Sequence, residues 1–421
     1  MISKLKLNFN LLSSKFNRFY VIKLLSSFLV QFSALFLVYL LPVEEYGYLA
    51  LLMSVSSLMF VLTSGWNNGA VINLGSKSYS EKGSYNDIVF YRAIMVAIVL
   101  VVLTIFFVIF KVNIISFIHK SENYYLAYLL FMGLACYDFS FQLLYPGNKD
   151  QLQSALELTA AGAIFLSMIF FVKDVKSYVF FYSAISALFA IVTIFFFFKY
   201  FGPKGFSFVK KDFFNVLNYS LWQILSVVGI YVINVGMNYI FVFNKITPTD
   251  IGEYNFSFKL FSGFSAFFGL FGILIPKWIH GSEKSNLASI LNKRVFYITA
   301  FLAGAYLIIA LVLRPFIEII GKKDYLPSVS YFLYLFPAFL FMSYTNLMNT
   351  IIANTKHYKF AQYVILIQVI ILLLVCYPLV YFIGVKGAII ATTVSYVICS
   401  LFFYLIFRTK IIPALTSKSI Y

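Results

Sequence analysis

The chain has 421 residues, 62% of them hydrophobic and 11% charged, with a net charge of +17 and a mean hydropathy of +0.90. Soluble domains run at about 45–50% apolar and about 25% charged, so a water-soluble core is excluded and a multi-pass membrane protein is expected. The basic excess does not by itself point to nucleic acid, because basic residues also record membrane orientation.

Residues 1–18 are polar and basic, and the apolar run that follows them, 19–41, is too long for a signal-peptide core and lacks a small-residue cleavage site. It reads as an uncleaved first span. Further apolar runs follow at 46–66, 89–110, 124–145, 154–172 and 177–198. A basic connector comes next, then runs at 219–243, 251–276, 295–319, 327–352, 360–383 and 387–407. A helix crosses the bilayer core in about 20 residues, so each run is read as a span. The expected fold is all-α and polytopic, with about twelve transmembrane helices in two six-helix lobes. The predicted boundaries are 1–200 for the first lobe, 201–218 for a basic cytoplasmic linker and 219–421 for the second lobe.

An even number of spans puts both termini on one side. Sorted by connector, 22 of the 32 Lys and Arg fall on the side of the termini, with five acids, and nine fall on the other, with eight acids. That bias makes the terminal side cytoplasmic. The basicity is an orientation signal, and no nucleic-acid partner is expected.

The runs 219–243 and 251–276 carry polar groups that lipid would reject: Gln223, Ser226, Asn234 and Asn238 in the first, Asn255, Lys259, Ser262 and Ser265 in the second. Helical spacing lets each set share a side of its helix. A Lys at membrane depth costs about 2.5–3.5 kcal/mol on insertion scales, and such groups usually face a bundle interior or a wet cavity. These helices are therefore predicted to wall a polar cavity. Lys23 lies one turn inside the first span, with Ser27 and Gln31 at steps of four. Two acids, Asp138 and Glu157, fall inside the fourth and fifth spans. They are candidates for coupling a proton or cation, or for pairing with Arg92.

A weak internal repeat links the halves. The second span opens Glu44-Glu45-Tyr46-Gly47-Tyr48 and the eighth opens Asp250-Ile251-Gly252-Glu253-Tyr254. Parallel repeats of this kind occur in transporters, with the substrate site between halves. Cys136, Cys376 and Cys399 sit singly in apolar runs, and His119, His280 and His357 lack ligand spacing, so no metal or disulfide is expected. No phosphate-cradling loop, nucleophile elbow or zinc motif appears, and neither catalysis nor a cofactor is expected.

Three stretches carry a family resemblance: LLPVEEYGYLALLMSVSSLMFVLTSGWNNGA (40–70), ITPTDIGEYNFSFKLFSGF (246–264) and ALVLRPFIEIIGKKDYLPS (310–328). They resemble the Wzx-type O-antigen or polysaccharide repeat-unit flippases of the MOP exporter superfamily, and span count and order extend the likeness over the whole chain. The resemblance implies two six-helix lobes open alternately to each side, with spans 1, 2, 7 and 8 lining the cavity. It implies a substrate of oligosaccharide on undecaprenyl pyrophosphate, flipped across the bacterial inner membrane for O-antigen or other surface polysaccharide synthesis. The polymerase and chain-length proteins of the same pathway would be its protein partners, and the lipid bilayer its surroundings.

A basic residue in the eighth span is frequent in that family, and Lys259 matches it. The family often has Asp fourteen residues before the Gly of the eighth span, where this chain has Asn238, so no coupling carboxylate carries over to that position. It often has Arg at the end of the second span, where this chain has Asn67, Asn68 and Asn73. The expected substrate contacts are Lys259 and Lys23 for the pyrophosphate or an acidic sugar, and Gln223, Asn234, Asn238 and Asn255 for sugar hydroxyls. The competing readings are a polymerase or multispan glycosyltransferase and a drug/cation antiporter of the same fold. The first would be expected to carry a long outer loop, yet the outer connections 111–123 and 319–327 are roughly a dozen residues or fewer.

Overall fold

A computed structural model describes residues 15–202, 208–264, 287–353 and 358–413. Ser265 with the rest of the expected eighth span, and the side chains of Ser27 and Gln31, lie outside the described residues. Every described element is helical. In chain order these are α1 (Lys15–Leu40), α2 (Val43–Thr63), α3 (Asn68–Lys82), α4 (Asn86–Ile109), α5 (Lys111–Ile118), α6 (Asn123–Ser140), α7 (Asp150–Phe170) and α8 (Val175–Phe201). Then come α9 (Lys210–Val235), α10 (Met237–Phe243), α11 (Pro248–Gly263), α12 (Leu287–Ile319), α13 (Leu326–Tyr334), α14 (Phe336–Ala353), α15 (Tyr358–Ile383) and α16 (Val385–Ile406).

Among the described residues, ten helices are long and apolar enough to cross a membrane, and a bent pair, Lys323–Tyr334 with Phe336–Ile352 at 53°, makes an eleventh. Helix α11 is the described part of the eighth expected span. The surface explains the composition. On α4 only 17% of the apolar window is buried, and Ile98, Ile105, Val108 and Ile109 stand exposed. Such a face is stable only where lipid is the solvent, since a helix already satisfies its own backbone.

The chain divides into two compact units, Met1–Leu40 with Leu51–Val227 and Leu41–Ala50 with Val228–Tyr421. In the first, α1 packs on α7 and α6 on α8. Its cores include Trp66, Tyr91 and Met95 in one cluster and Tyr85, Leu143 and Phe197 in another. In the second, α16 packs on α15 and α14. Small residues of α16 (Gly387, Ala388, Ala391, Ser395) are buried there, as expected where helices in lipid pack by close approach. A Cβ at Gly387 would overlap the backbone of Leu379.

The two opening motifs of the expected repeat lie together in the second unit. Gly47 and Gly252 meet: a Cβ on Gly47 would overlap the Pro248 carbonyl, and one on Gly252 the Val43 carbonyl. A second correspondence lies in the hydroxyls. Ser56 on α2 donates to Ala127 O on α6 at 2.7 Å, and Ser257 on α11 donates to Ser328 O on α13 at 2.8 Å, each across 71 positions.

The structure departs from the sequence reading in three places. The seventh span is interrupted at Gly236, where Tyr239 N–H turns to Gly236 O instead of continuing the four-residue ladder. The connector after the second span folds as α3, closed by Gly83 at φ 66°, a left-handed cap that suits glycine. The outer connection before the fourth span contains the short helix α5.

Candidate functional site

The first unit holds two ionic clusters. In one, Arg92 of α4 is 1% exposed. Its Nε–H donates to Asn67 Oδ1 at 2.7 Å and its Nη1 to Phe139 O at 2.9 Å. Its Nη2 donates to Asn68 Oδ1, to Asp138 O at 3.2 Å and to Asp138 Oδ2 at 3.5 Å. Asn68 Nδ2 donates in turn to Asp138 Oδ1 at 2.7 Å. The guanidinium also lies 4.9 Å from the Phe139 ring centre. A planar fork with five donors suits such a set of carbonyl acceptors. The cluster ties the start of α3 to α4 and to the end of α6. By sequence Arg92 counts among the orienting charges of a cytoplasmic connector, but it is buried and engaged by Asp138. Where the resemblance leads one to expect an arginine after the second span, Asn67 and Asn68 instead receive a guanidinium from the next helix.

In the other cluster, Lys23 of α1 forms an ion pair with Glu157 of α7. Lys23 also donates to Tyr145 Oη at 3.1 Å and lies 4.0 Å from the Phe141 ring centre. Glu157 accepts from Tyr145 Oη at 3.1 Å and from Gln153 Nε2 at 3.2 Å. Gln153 is itself held, donating to Ser140 O at 3.2 Å and accepting from Leu144 N–H at 3.2 Å. The Glu157 side chain is fully buried, while that of Lys23 remains 28% exposed. Two residues with separate expected roles, a substrate cation and a coupling acid, are therefore brought together.

Gln223, on α9 in the first unit, lies against Gly69, where a Cβ would overlap its amide. The polar stripe expected along the seventh span is divided. Asn234, on the same helix but in the second unit, is exposed. Asn238, past the interruption at Gly236, is 1% exposed. Asn238 and Asn255 exchange amide bonds: Asn255 Nδ2 donates to Asn238 Oδ1 at 2.8 Å, and Asn238 Nδ2 donates to Asn255 Oδ1 at 3.3 Å. Asn255 also donates to Ile251 O at 2.8 Å, and Asn238 to Ala50 O at 3.4 Å.

Lys259 stands apart. It is partly buried on α11, and among the described residues no carboxylate pairs with it. α11 has a well-defined start: Thr247 caps it, accepting from Asp250 N–H at 3.2 Å, with Pro248 at the first helical position. Near Lys259 lies a cavity of about 270 Å³, wholly within the second unit. Asn234 and Ser262 line it from α9 and α11. Thr345, Asn346, Asn349 and Gln368 line it from α14 and α15. Sequence reading misses these four. The available signal was Thr345 and Asn349 four apart, and Asn346 and Asn349 three apart, in an otherwise apolar run.

No protein-family model matches the sequence, and no curated protein matches it. Solved structures do. The chain is similar to the lipid II flippase MurJ in an inward closed conformation, with TM-score 0.70, 15% identity, and coverage of 94% of this chain and 89% of that one. It is similar to a multidrug resistance MATE family transporter of the MOP superfamily in an inward-facing conformation, with TM-score 0.64, 14% identity, and coverage of 94% and 96%. It is also similar to the eukaryotic MATE transporter AtDTX14, with TM-score 0.62, 14% identity, and coverage of 94% and 95%. At such identities the likeness is one of fold. The described residues are helical throughout, and the chain is a multi-pass membrane protein that shares the fold of these solved transporters and flippase.

Proposed function

We propose that the protein is a flippase that moves undecaprenyl-pyrophosphate-linked oligosaccharide repeat units across the bacterial inner membrane by alternating access, for O-antigen or other surface polysaccharide synthesis. The observation that carries this reading is Lys259, a cation in a membrane helix without a carboxylate partner among the described residues. An unneutralised ammonium in a membrane segment marks a substrate or ion path. A diphosphate supplies the missing countercharge, and the fold shared with a lipid II flippase supports a lipid-linked substrate. The polyprenyl tail stays in lipid while the two lobes move, and no bond is made or broken.

In this reading Lys259 binds the pyrophosphate, and Asn234 with Ser262 meets sugar hydroxyls. Asn238 and Asn255 hold α10 against α11, and Gln223 fixes α9 on Gly69. Lys23 is shared between Glu157 and an arriving anion. When the anion takes the ammonium, Glu157 is left to bind a proton or cation, which couples loading to ion uptake. Asp138, clasped by Arg92 and Asn68, keeps its unit folded. A second reading, a drug or cation antiporter, is supported by the MATE likeness. An unpaired Lys beside its cavity would repel a cationic drug.

The test is Lys259→Ala in the native host. The expected result is loss of surface polysaccharide, with lipid-linked repeats accumulating in the cytoplasmic leaflet and the protein present at normal level. Normal export in that variant overturns the reading. Repeats reaching the outer leaflet as unpolymerised units would indicate a polymerase instead.

A further inference from the structure

We infer that the cavity inside the second unit is a subsite for one uncharged sugar ring, an inference that rests on the flippase reading for what carries the sugar there. Two of its polar atoms are left without a hydrogen bond. Gln368 Nε2, on a side chain 4% exposed, is a donor without an acceptor, and Asn349 Oδ1 is an acceptor without a donor. The Tyr396 hydroxyl interacts with the Gln368 side chain, and Gln368 Nε2 still lacks an acceptor. A buried polar atom left unmade costs about 1–3 kcal/mol, and apolar residues at these positions would avoid that. The missing partner must both donate and accept. Hydroxyls do both; a carboxylate or phosphate only accepts, and an ammonium only donates.

Charge and size narrow the ligand further. No Asp, Glu, Lys or Arg lines the cavity among the described residues, so an ionised sugar would enter without a countercharge. At 270 Å³ it falls just below the range of about 300–1,000 Å³ typical of pockets for drug-sized ligands, which fits a single ring rather than an oligosaccharide. The rings of Phe261 and Tyr396, 6.2 Å apart and tilted by 60°, give it an apolar wall for the C–H face of a pyranose. Ser262 on that wall lies one turn beyond Lys259 on the same side of α11, roughly 4.5 Å along the axis. A diphosphate on Lys259 would thus hold its first sugar at the cavity.

The test uses the full chain in lipid nanodiscs. The probes are free glucose, galactose, mannose, N-acetylglucosamine and N-acetylgalactosamine, with glucuronic acid as the charged control, and the readout is unfolding temperature. A ligand that binds only the folded state raises that temperature. At least one neutral sugar is expected to do so, and glucuronic acid is not. Gln368→Leu and Asn349→Leu, singly and together, should unfold at no lower temperature than wild type, because each removes an orphaned polar atom. They should nevertheless lose the sugar-induced shift and reduce export about tenfold, equivalent to about 1.4 kcal/mol.

The subsite is overturned if no neutral sugar shifts unfolding, if glucuronic acid shifts it equally, or if the shift survives in the double variant; the cavity then holds water alone. The two readings separate cleanly. Loss of export in Lys259→Ala with normal export in the leucine variants keeps the flippase and removes the subsite. Sugar binding with normal export in Lys259→Ala does the reverse.

Discussion

In the first unit each intramembrane acid lies against a base: Glu157 against Lys23, Asp138 against Arg92. In the second, Lys259 lies against no carboxylate among the described residues, and the polar groups lining the cavity one turn beyond it are amides and hydroxyls. Both arrangements place expensive groups where lipid is the solvent. A closed pair recovers part of its desolvation penalty internally, so its loss is felt as instability. An open cation recovers nothing until something arrives, so its loss is felt as lost function. On the proposed reading the contrast separates Asp138 and Arg92, which hold the fold, from Lys259, which awaits a ligand, with the Lys23–Glu157 pair between them.

The largest effect on stability is expected at Arg92. Arg92→Leu leaves the Asp138 carboxylate without its countercharge, and breaking such a pair from one side costs about 3–5 kcal/mol. The double variant Arg92→Leu with Asp138→Leu should recover most of that, measured by thermal unfolding in detergent. If the double variant is as unstable as the single, the cluster is not a closed pair and the contrast between units fails on that side.

A smaller loss is expected at Lys23, because its side chain keeps partial access to solvent. Lys23→Met should destabilise by about 1–3 kcal/mol, the range for leaving a buried partner unsatisfied. Glu157→Gln, which keeps the bonds from Tyr145 and Gln153, should cost less than Glu157→Leu. If Lys23 is also shared with an arriving anion, then Glu157→Gln should weaken the dependence of export on an imposed proton or cation gradient, assayed in vesicles. An unchanged dependence would leave the pair a purely structural one.

How far the sequence reveals this contrast depends on how local each feature is. Most spans were legible, because apolar runs of about twenty residues match the thickness of a bilayer core; twelve were expected, and the described residues show ten, or eleven with the bent pair. The repeat was legible as a pair of glycine motifs, yet its register was not. Gly47 and Gly252 lie 205 positions apart, whereas the matching links of Ser56 and Ser257 lie 201 apart, about one helical turn less. A sequence motif aligns residues that meet each other; the serines align residues that do the same job. The partner of Asp138 was legible as a possibility, since Arg92 is the basic residue nearest in the preceding span. The partner of Glu157 was not, because Lys23 lies 134 positions away and no periodicity connects them. The cavity was half legible. Asn234 and Ser262 belong to visible stripes, but Gln368 sits in the run 360–383 with Gln362 as its only fellow amide, and a single polar residue fixes no helix face. The stripe through Gln223 and Asn238 failed at Gly236, where an apolar run gives no sign that the helix is interrupted.

The smallest effect sharpens the boundary between the two kinds of polar group in the second unit. Asn238 and Asn255 satisfy each other across α10 and α11, whereas Asn349 and Gln368 leave atoms unmet. Interhelical hydrogen bonds in membranes average about 0.6 kcal/mol, with a maximum near 1.7. Asn238→Leu and Asn255→Leu should therefore each lower stability slightly, with a coupling of about 0.6 kcal/mol in a double-mutant cycle. Leucine at Asn349 or Gln368 should lower it not at all. Export should follow the opposite order, nearly intact in the first pair and reduced in the second. A loss of export at Asn238 without loss of stability would mean that this amide pair opens to the substrate during transport, and that the bond joining Asn238 to Asn255 is itself exchanged for sugar hydroxyls.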